Sequence, residues 1–438
     1  MRRLKMETKD AGGMKILVIG SEGREHALIW KIRQSPLVKE IFCAPGNAGT
    51  AKLAINVPIG AEDLTELLAF AKKNKIDLTV IGSEVLLALG IVDLFEAEGL
   101  KAFGPNQSAA ELGSNKAFSK KMMNKHGIPT AESAVFDKIM HAQDFVEDLL
   151  KTPPFVIKAS GPADGKGVVI AQSIAEANAV INGMLTGKMF GDAGRKIVIE
   201  EYLTGEKASF LAITDGKNVI PLTSLKVQKK LLDGDLGPNT RGMGAYSPAP
   251  VINPAIRAVM TEVIQRIVAG MEKEKKICRG IINADLIISG GNIKTLEFNC
   301  CFGDPGCQPL MMRMKSDIVP IMMEIANHGD IGRFNLDWDE RTSICIVQAA
   351  HGFPGGSRVG DEIVGLNDLD DWEDVVAFHA NTKMVNGKVI TTGGPIMGIT
   401  GIAKDMQTVI DLAFAAAHMV DWPGRQFRDD IGLEALGR

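Results

Sequence analysis

The chain lacks any apolar run long enough to cross a bilayer, so no membrane-spanning helix is expected. No secretory leader is expected at its start either. Residues 1–13 are charged and polar with no apolar core segment, and they read as an extension whose true start is Met1 or Met14. Basic charge is not in excess: 49 Lys and Arg stand against 53 Asp and Glu, a net charge of −4, which gives no nucleic-acid footprint. The six cysteines, at 43, 278, 300, 301, 307 and 345, include no CxxC pair. That argues against a zinc ribbon or a dithiol redox motif and for reduced thiols in a cytoplasmic setting. Two phosphate-binding signatures are missing as well. No GxxxxGK[ST] P-loop occurs, and the glycines near the start fall short of GxGxxG.

What is present is an ordinary soluble composition, 45% apolar and 23% charged over 438 residues, enough for two to four domains. Residues 15–20 form a short apolar run entering a glycine turn, and an apolar-periodic segment follows to Ile32. Further strand-like runs at 41–44 and 78–81 alternate with a helix at 64–73, a βαβα order that implies a parallel sheet. Ligands in such sheets sit at the carboxyl ends of the strands, here the turns 20–23, 45–49 and 82–84. The 20–23 turn opens a helix, whose free N–H groups suit a phosphate.

Residues 295–305 carry the strongest chemical pattern. As a strand, they put Glu297 and Asn299 on one face and Leu296, Phe298 and Cys300 on the other. The polar face offers two hard oxygen ligands suited to magnesium, and Asp304 in the following turn adds a carboxylate. A half-buried strand with a solvated face is the plainer alternative. Asp285 lies twelve residues upstream across a hairpin turn at 289–292, close enough on a facing strand to be a third ligand. Residues 155–158 read as a strand bearing Lys158, followed by a glycine-rich flap at 159–167 that could cover phosphates through backbone N–H groups and Lys166. Residues 196–203 read as a strand ending in carboxylates. Residues 231–244 read as a long glycine-rich loop, and 254–272 as a helix. Near the C-terminus, 343–349 and 394–401 read as strands and 408–420 as a helix. His351 and His379 beside glycine turns read as structural.

These pieces, in order, resemble the phosphoribosylamine–glycine ligase family of ATP-grasp enzymes. The resemblance runs from Met14 to the end. It rests on GSEGREHA at 20–27 (family GxGGREHA), APGNAGT at 44–50, FGP at 103–105, KAF at 116–118, VIK at 156–158 and GKGV at 165–168. It continues with GPNT at 237–240, GMGAYSPAP at 242–250, EFN at 297–299, FGDP at 302–305 and RMKSD at 313–317. GFP at 352–354, FHA at 378–380, GG at 393–394 and DIG at 430–432 complete it.

The resemblance implies an α/β protein with four segments. They are an extension at 1–13, a parallel α/β domain at 14–115, an ATP-grasp domain of two α+β subdomains at 116–332, and a small α+β domain at 333–438. It implies ligation of glycine to 5-phosphoribosylamine with cleavage of ATP, by a monomer that needs Mg2+ or Mn2+. ATP would be held by Lys116, Lys158, Gly161, Gly165, Lys166, Gly167, Glu200, Glu201, Tyr202, Leu203 and Glu206. The metal would be held by Glu297 and Asn299, with Asp285 as a third candidate. Gly20, Gly23, Arg24, Glu25, Pro45, Gly46 and Asn47 would receive the ribosylamine, and Asp304 and Lys158 are the candidate catalytic residues.

The chain also departs from the family pattern. Cys301 stands for arginine, Gly306 for glutamate, and residues 227–230 (VQKK) for DHKR. Ser160 stands for aspartate, Asp164 for a small residue, Arg241 and Asp285 for glycine, and Ser83 for proline. A non-catalytic nucleotide-binding paralogue and a ligase with a changed substrate therefore stay open beside the working ligase.

Overall fold

A computed structural model describes residues 12–163 and 167–437. Five strands, β1 (Met14–Gly20), β2 (Val38–Pro45), β3 (Ile55–Asn56), β4 (Leu78–Ile81) and β5 (Ala102–Phe103), form a wholly parallel sheet in the order β3-β2-β1-β4-β5. Ile16 to Ile19 and all of β4 are buried, as expected of strands covered on both faces. The helix Gly23–Ile32 follows β1 directly. Gly20 and Gly82 leave room for the Glu25 side chain: a Cβ on Gly82 would lie 1.9 Å from Glu25 Oε1, and one on Gly20 2.5 Å from Glu25 Cδ.

A second, antiparallel sheet contains β6 (Ser133–Phe136), β7 (Phe155–Ala159), β8 (Val168–Ala171) and β9 (Ile197–Glu201), ordered β6-β9-β7-β8. Phe155, Ile157, Ile181, Ile197 and Ile199 make its core with the helix Ile174–Leu185.

The remaining large sheet has eight strands. From the middle of the chain come β10 (Glu206–Thr214), β11 (Val219–Leu232), β12 (Leu236–Ser247), β13 (Gly280–Ser289) and β14 (Asn292–Asn299). From the C-terminal part come β15 (Thr342–Ala349), β16 (Val375–His379) and, after the small hairpin of β17 (Thr382–Val385) and β18 (Lys388–Thr391), β19 (Pro395–Ala403). The order is β14-β13-β10-β11-β12-β15-β19-β16. The C-terminal strands thus extend the central sheet through the β12–β15 pairing. The helix Met406–Met419 packs on them with Val409, Ala413, Ala416 and Ala417 buried. No helix among the described residues is long and apolar enough to cross a membrane.

Residues 231–244 are not a loop. They are the end of β11, a short turn at 233–235 and most of β12. Their glycines serve close packing inside a strand, a role composition alone does not reveal. A Cβ on Gly242 would meet Pro305 Cδ at 2.5 Å, and one on Gly244 would meet Ile431 Cγ2 at 2.6 Å. The hairpin tip is also pinned. Arg428, only 1% exposed, donates from Nε to Asp430 Oδ1 at 2.6 Å and from NH1 to Asp235 Oδ1 at 2.7 Å. The N–H of Gly234 donates to Asp430 Oδ2 and that of Asp429 to Asp233 Oδ1. Removing one partner of a buried charged cluster typically costs 3–5 kcal/mol, and the exposure of Asp235 reduces that. Arg428→Ala should therefore lower stability by roughly 3 kcal/mol and release the 233–236 tip. Thermal unfolding and amide exchange at those residues check both effects.

Candidate active site

The two antiparallel sheets approach each other around a ring of charges. Near the end of β9 stands Glu200, which is 2% exposed. Its Oε2 lies 2.9 Å from Lys158 Nζ on β7, and its Oε1 lies 3.1 Å from Lys120 Nζ on the helix Lys116–Lys125. Lys158 also donates to the Leu296 carbonyl at 3.3 Å, which ties β7 to β14. Lys116, one helical turn before Lys120, lines the same cleft with Gly113, Met123, Leu296 and Glu297. Burial pulls Lys120 down to about 8, with Glu200 opposing and Lys158 adding to the fall.

Across the cleft, β13 and β14 pair Asp285 with Glu297 and Asn283 with Asn299. The register slips between Asp285 and Leu286, leaving Leu296 as the extra residue of a bulge. Simple alternation therefore fails at that point: Leu296 lines the cleft beside Glu297, while Phe298 and Cys300 go into the core as expected. Lys229 from β11 sits over the pair, with its Nζ 2.9 Å from Asp285 Oδ2 and 3.8 Å from Glu297 Oε1. Asp285 accepts from Ser209 Oγ through its other oxygen at 2.6 Å. Both of its oxygens are engaged, so its visible task is to hold Lys229. Burial works to raise the Glu297 pKa, but Lys229, Lys158, Lys116 and Lys120 together hold it down to about 2. An anionic carboxylate facing the cleft beside Asn299 suits a magnesium ion that takes its other ligands from phosphates. Among the described residues no group of three His, Cys, Asp or Glu forms a metal cage.

The flap root is described, whereas Asp164, Gly165 and Lys166 lie outside the described residues. Gly161 packs on the 191–194 turn, where a Cβ would sit 2.8 Å from Ala193 Cα, and its N–H donates to the Ala193 carbonyl. Gly167 accepts from the Ala159 N–H. Ser160 donates to Asn115 Oδ1 at 2.9 Å and accepts from the Ala117 N–H at 3.1 Å, joining the flap root to the start of the Lys116 helix. Glu201 pairs with Lys294 at 2.6 Å, Glu206 lies 3.6 Å from Lys226, and Tyr202 and Leu203 follow β9 toward the surface.

Asp304 does not join Glu297. The 300–306 turn carries it to the parallel domain, where Oδ2 accepts from the Arg24 N–H at 3.0 Å and Oδ1 from Gln308 Nε2 at 2.6 Å. It lines a second pocket with Glu22, Gly23, Arg241, Gly242, Pro305 and Asn381. Asp304 and Lys158 therefore face different pockets. Glu25 is fully buried. It accepts from Arg24 Nε at 2.7 Å and from the Glu22 N–H at 2.9 Å. The Asn47 amide is likewise consumed: Nδ2 donates to the Ser21 and His379 carbonyls, and Oδ1 accepts from the N–H groups of Gly49 and Thr50. Glu25 and Asn47 thus hold the 20–23 turn and the turn carrying Pro45 and Gly46 in place. His379 is buried beside His26, and burial lowers it to about 3, so it stays neutral at physiological pH.

Glu84 stands between the two pockets and was only a turn residue in the sequence reading. Its Oε1 accepts from the Cys300 N–H at 3.2 Å, and the absent side chain of Gly113 gives it room. Burial raises its pKa to about 7 against the pull of Lys116. Between the ordinary carboxylate value of 4.5 and about 7, the folded chain keeps a proton that the unfolded chain loses, so stability falls as pH rises across that window. Glu84→Gln should therefore gain about 3 kcal/mol over the parent at pH 8 and almost nothing at pH 4. Unfolding midpoints at the two pH values check this.

Comparison with known proteins agrees with this geometry. Three family descriptions match consecutive parts of the chain. They are the phosphoribosylglycinamide synthetase N domain over 14–113, its ATP-grasp (A) domain over 114–307 and its C domain over 343–434. The phosphoribosylamine–glycine ligase of Ralstonia nicotianae is 46% identical over 429 residues, covering 97% of this chain and all of that protein. This chain belongs to the phosphoribosylamine–glycine ligase family. The Escherichia coli K12 ligase is 45% identical over 430 residues, covering 97% and 99%. The crystal structure of the Thermotoga maritima ligase superposes with a TM-score of 0.82 at 28% identity, covering 95% of this chain and all of that one. A biotin carboxylase domain from Hydrogenobacter thermophilus, at 17% identity and a TM-score of 0.74, shares the fold. The three-domain ATP-grasp architecture of this ligase is thereby established.

Proposed function

We infer that this chain joins glycine to 5-phosphoribosylamine with cleavage of ATP to ADP and phosphate, a step of purine biosynthesis. The observation that carries this reading is the convergence of Lys116, Lys120, Lys158 and Lys229 on Glu297 at the seam of the two sheets, in a chain that matches such ligases over nearly its whole length. In this reading ATP lies in the seam. Lys116 and Lys158 meet its phosphates, the 200–203 segment meets the adenine, and Glu206 meets the ribose. Glu297 and Asn299 would hold magnesium or manganese, which would supply positive charge against the phosphates of ATP. The glycine carboxylate receives the γ-phosphoryl group, and the amine of phosphoribosylamine, held in the second pocket, displaces phosphate from the glycyl phosphate. That acyl phosphate is open to hydrolysis, and in this reading the glycine-rich segment 159–167 serves to exclude water from it.

Purified protein with ATP, glycine and phosphoribosylamine provides the test. ADP release that needs both glycine and the ribosylamine supports the reading. Nucleotide binding without such release favours the non-catalytic alternative. The specific observation on that side is Cys301, whose thiol is pushed up to about 12, chiefly by burial, and so stays neutral where the family pattern has an arginine.

A further inference from the structure

The face of the large sheet that meets the cleft carries four polar side chains in a two-by-two array. The β13–β14 register sets Asn283 directly opposite Asn299 and Asp285 directly opposite Glu297, with no slip between the two pairs. Alternate residues of a strand share a face. Ala284 and Phe298, which lie between the pairs, go into the core on the other side. The four polar groups therefore occupy one patch of sheet, where side chains on directly opposed residues meet.

Their engagement differs. Asp285 is fully committed: one oxygen accepts from Ser209 Oγ at 2.6 Å, and the other lies 2.9 Å from Lys229 Nζ. Asn283 is not. It is 7% exposed, and its Oδ1 accepts no hydrogen bond among the described residues. Its neighbour on the other side, Leu211 of β10, is apolar and supplies no donor. A buried acceptor without a donor is destabilising. Packing does not call for one here, because Leu211 and Ile281, on the same face, belong to an apolar core.

We propose that Asn283 Oδ1 is the third protein oxygen for the metal that Glu297 and Asn299 would hold, in place of Asp285, whose part is to hold Lys229. This rests on the ligase reading and adds a residue to its metal site. An amide oxygen is a hard donor of the kind that magnesium and manganese accept beside carboxylates. A bound cation would also satisfy the acceptor that the protein leaves open. Being neutral, the amide adds a ligand without adding repulsion against the phosphates of ATP.

The test uses the full chain, with Mn2+ as the probe at saturating ADP and free Mn2+ counted by its paramagnetic resonance signal. Asn283→Leu removes the oxygen without changing the charge, and it should weaken Mn2+ binding roughly tenfold. Its affinity for ADP in chelator should stay that of the parent. Asn283→Asp should bind Mn2+ at least as tightly as the parent. Unfolding midpoints give a second readout. Without metal and nucleotide, Asn283→Leu should unfold no lower than the parent, because an unpaired buried amide has been exchanged for an apolar group. With Mn2+ and ADP the midpoint of the parent should rise further than that of the variant. A metal-free midpoint well below the parent's would show that the amide is bonded within the protein, and would overturn the proposal. Glu297→Gln is the control for the site itself. Weaker Mn2+ binding in Glu297→Gln beside parental binding in Asn283→Leu overturns the role of Asn283 and leaves the ligase reading standing. Parental Mn2+ binding in Glu297→Gln removes the metal from the seam and overturns both.

Discussion

Glu297→Gln is expected to lower turnover about a hundredfold to a thousandfold, the usual effect of removing one fixed charge that faces the transferring group. The cause is local. In the reading proposed above, Glu297 and Asn299 of β14 are the two oxygen ligands offered to the metal, and glutamine keeps the shape but not the charge. Affinity for magnesium-ATP should fall at least about tenfold. ATP without the metal should bind as well as before or better, because Lys229, Lys158, Lys116 and Lys120 lose a competing anion. Calorimetry with magnesium and with chelator separates the two effects, and unchanged affinity together with unchanged turnover would sink the assignment. Stability carries a second signature. The carboxyl is depressed from 4.5 to about 2 in the folded chain. Its contribution is therefore full above pH 4.5 and disappears as pH falls toward 2. The parent should lose about 2–3 kcal/mol more than Glu297→Gln across that interval.

How much of this was legible in the sequence depended on how local the cause was. Strand β14, its facing strand β13 and the turn between them follow from alternation and a four-residue turn, and the Asp285–Glu297 pairing came out as expected. The bulge at Leu296 did not, because it depends on register with a neighbour. The 231–244 segment was misread for a related reason. Its glycines suggest a loop, but Pro305 and Ile431, far away in sequence, are what require them. Glu25 and Asn47 sit within phosphate-site motifs, yet their side chains are spent on backbone groups that shape the turns. Lys120 and Lys229 escaped notice because each matters only once two sheets approach. The spacing of Lys120, four residues after Lys116 on one helix, was the available signal.

Restoring arginine at 301 and glutamate at 306 is expected to raise ADP release, by as much as a hundredfold if the missing guanidinium is what limits the chemical step. Cys301 lies in the gap between the two pockets, within the fields of Glu84, Arg24, Glu25 and Glu22. Its neutral thiol gives no charge to a phosphoryl group crossing that gap, whereas a guanidinium would offer a forked donor. The site can accept one. Glu84 accepts the adjacent Cys300 N–H, and a cation beside it would draw its pKa back toward the ordinary carboxylate value. Gly306 precedes the helix Cys307–Arg313, where a carboxylate favours the helix N-terminus. Its added Cβ would come 3.2 Å from Leu225 Cδ2, so that side chain must shift slightly. The two helix-end effects oppose each other, and the unfolding midpoint should move little. Turnover is then the discriminating readout. A gain in the double variant identifies the lost arginine as the limit. A parent already fully active, with no gain on restoration, would mean that cations elsewhere at the site, Lys229 over Glu297 and Arg241 at the second pocket, carry the charge instead.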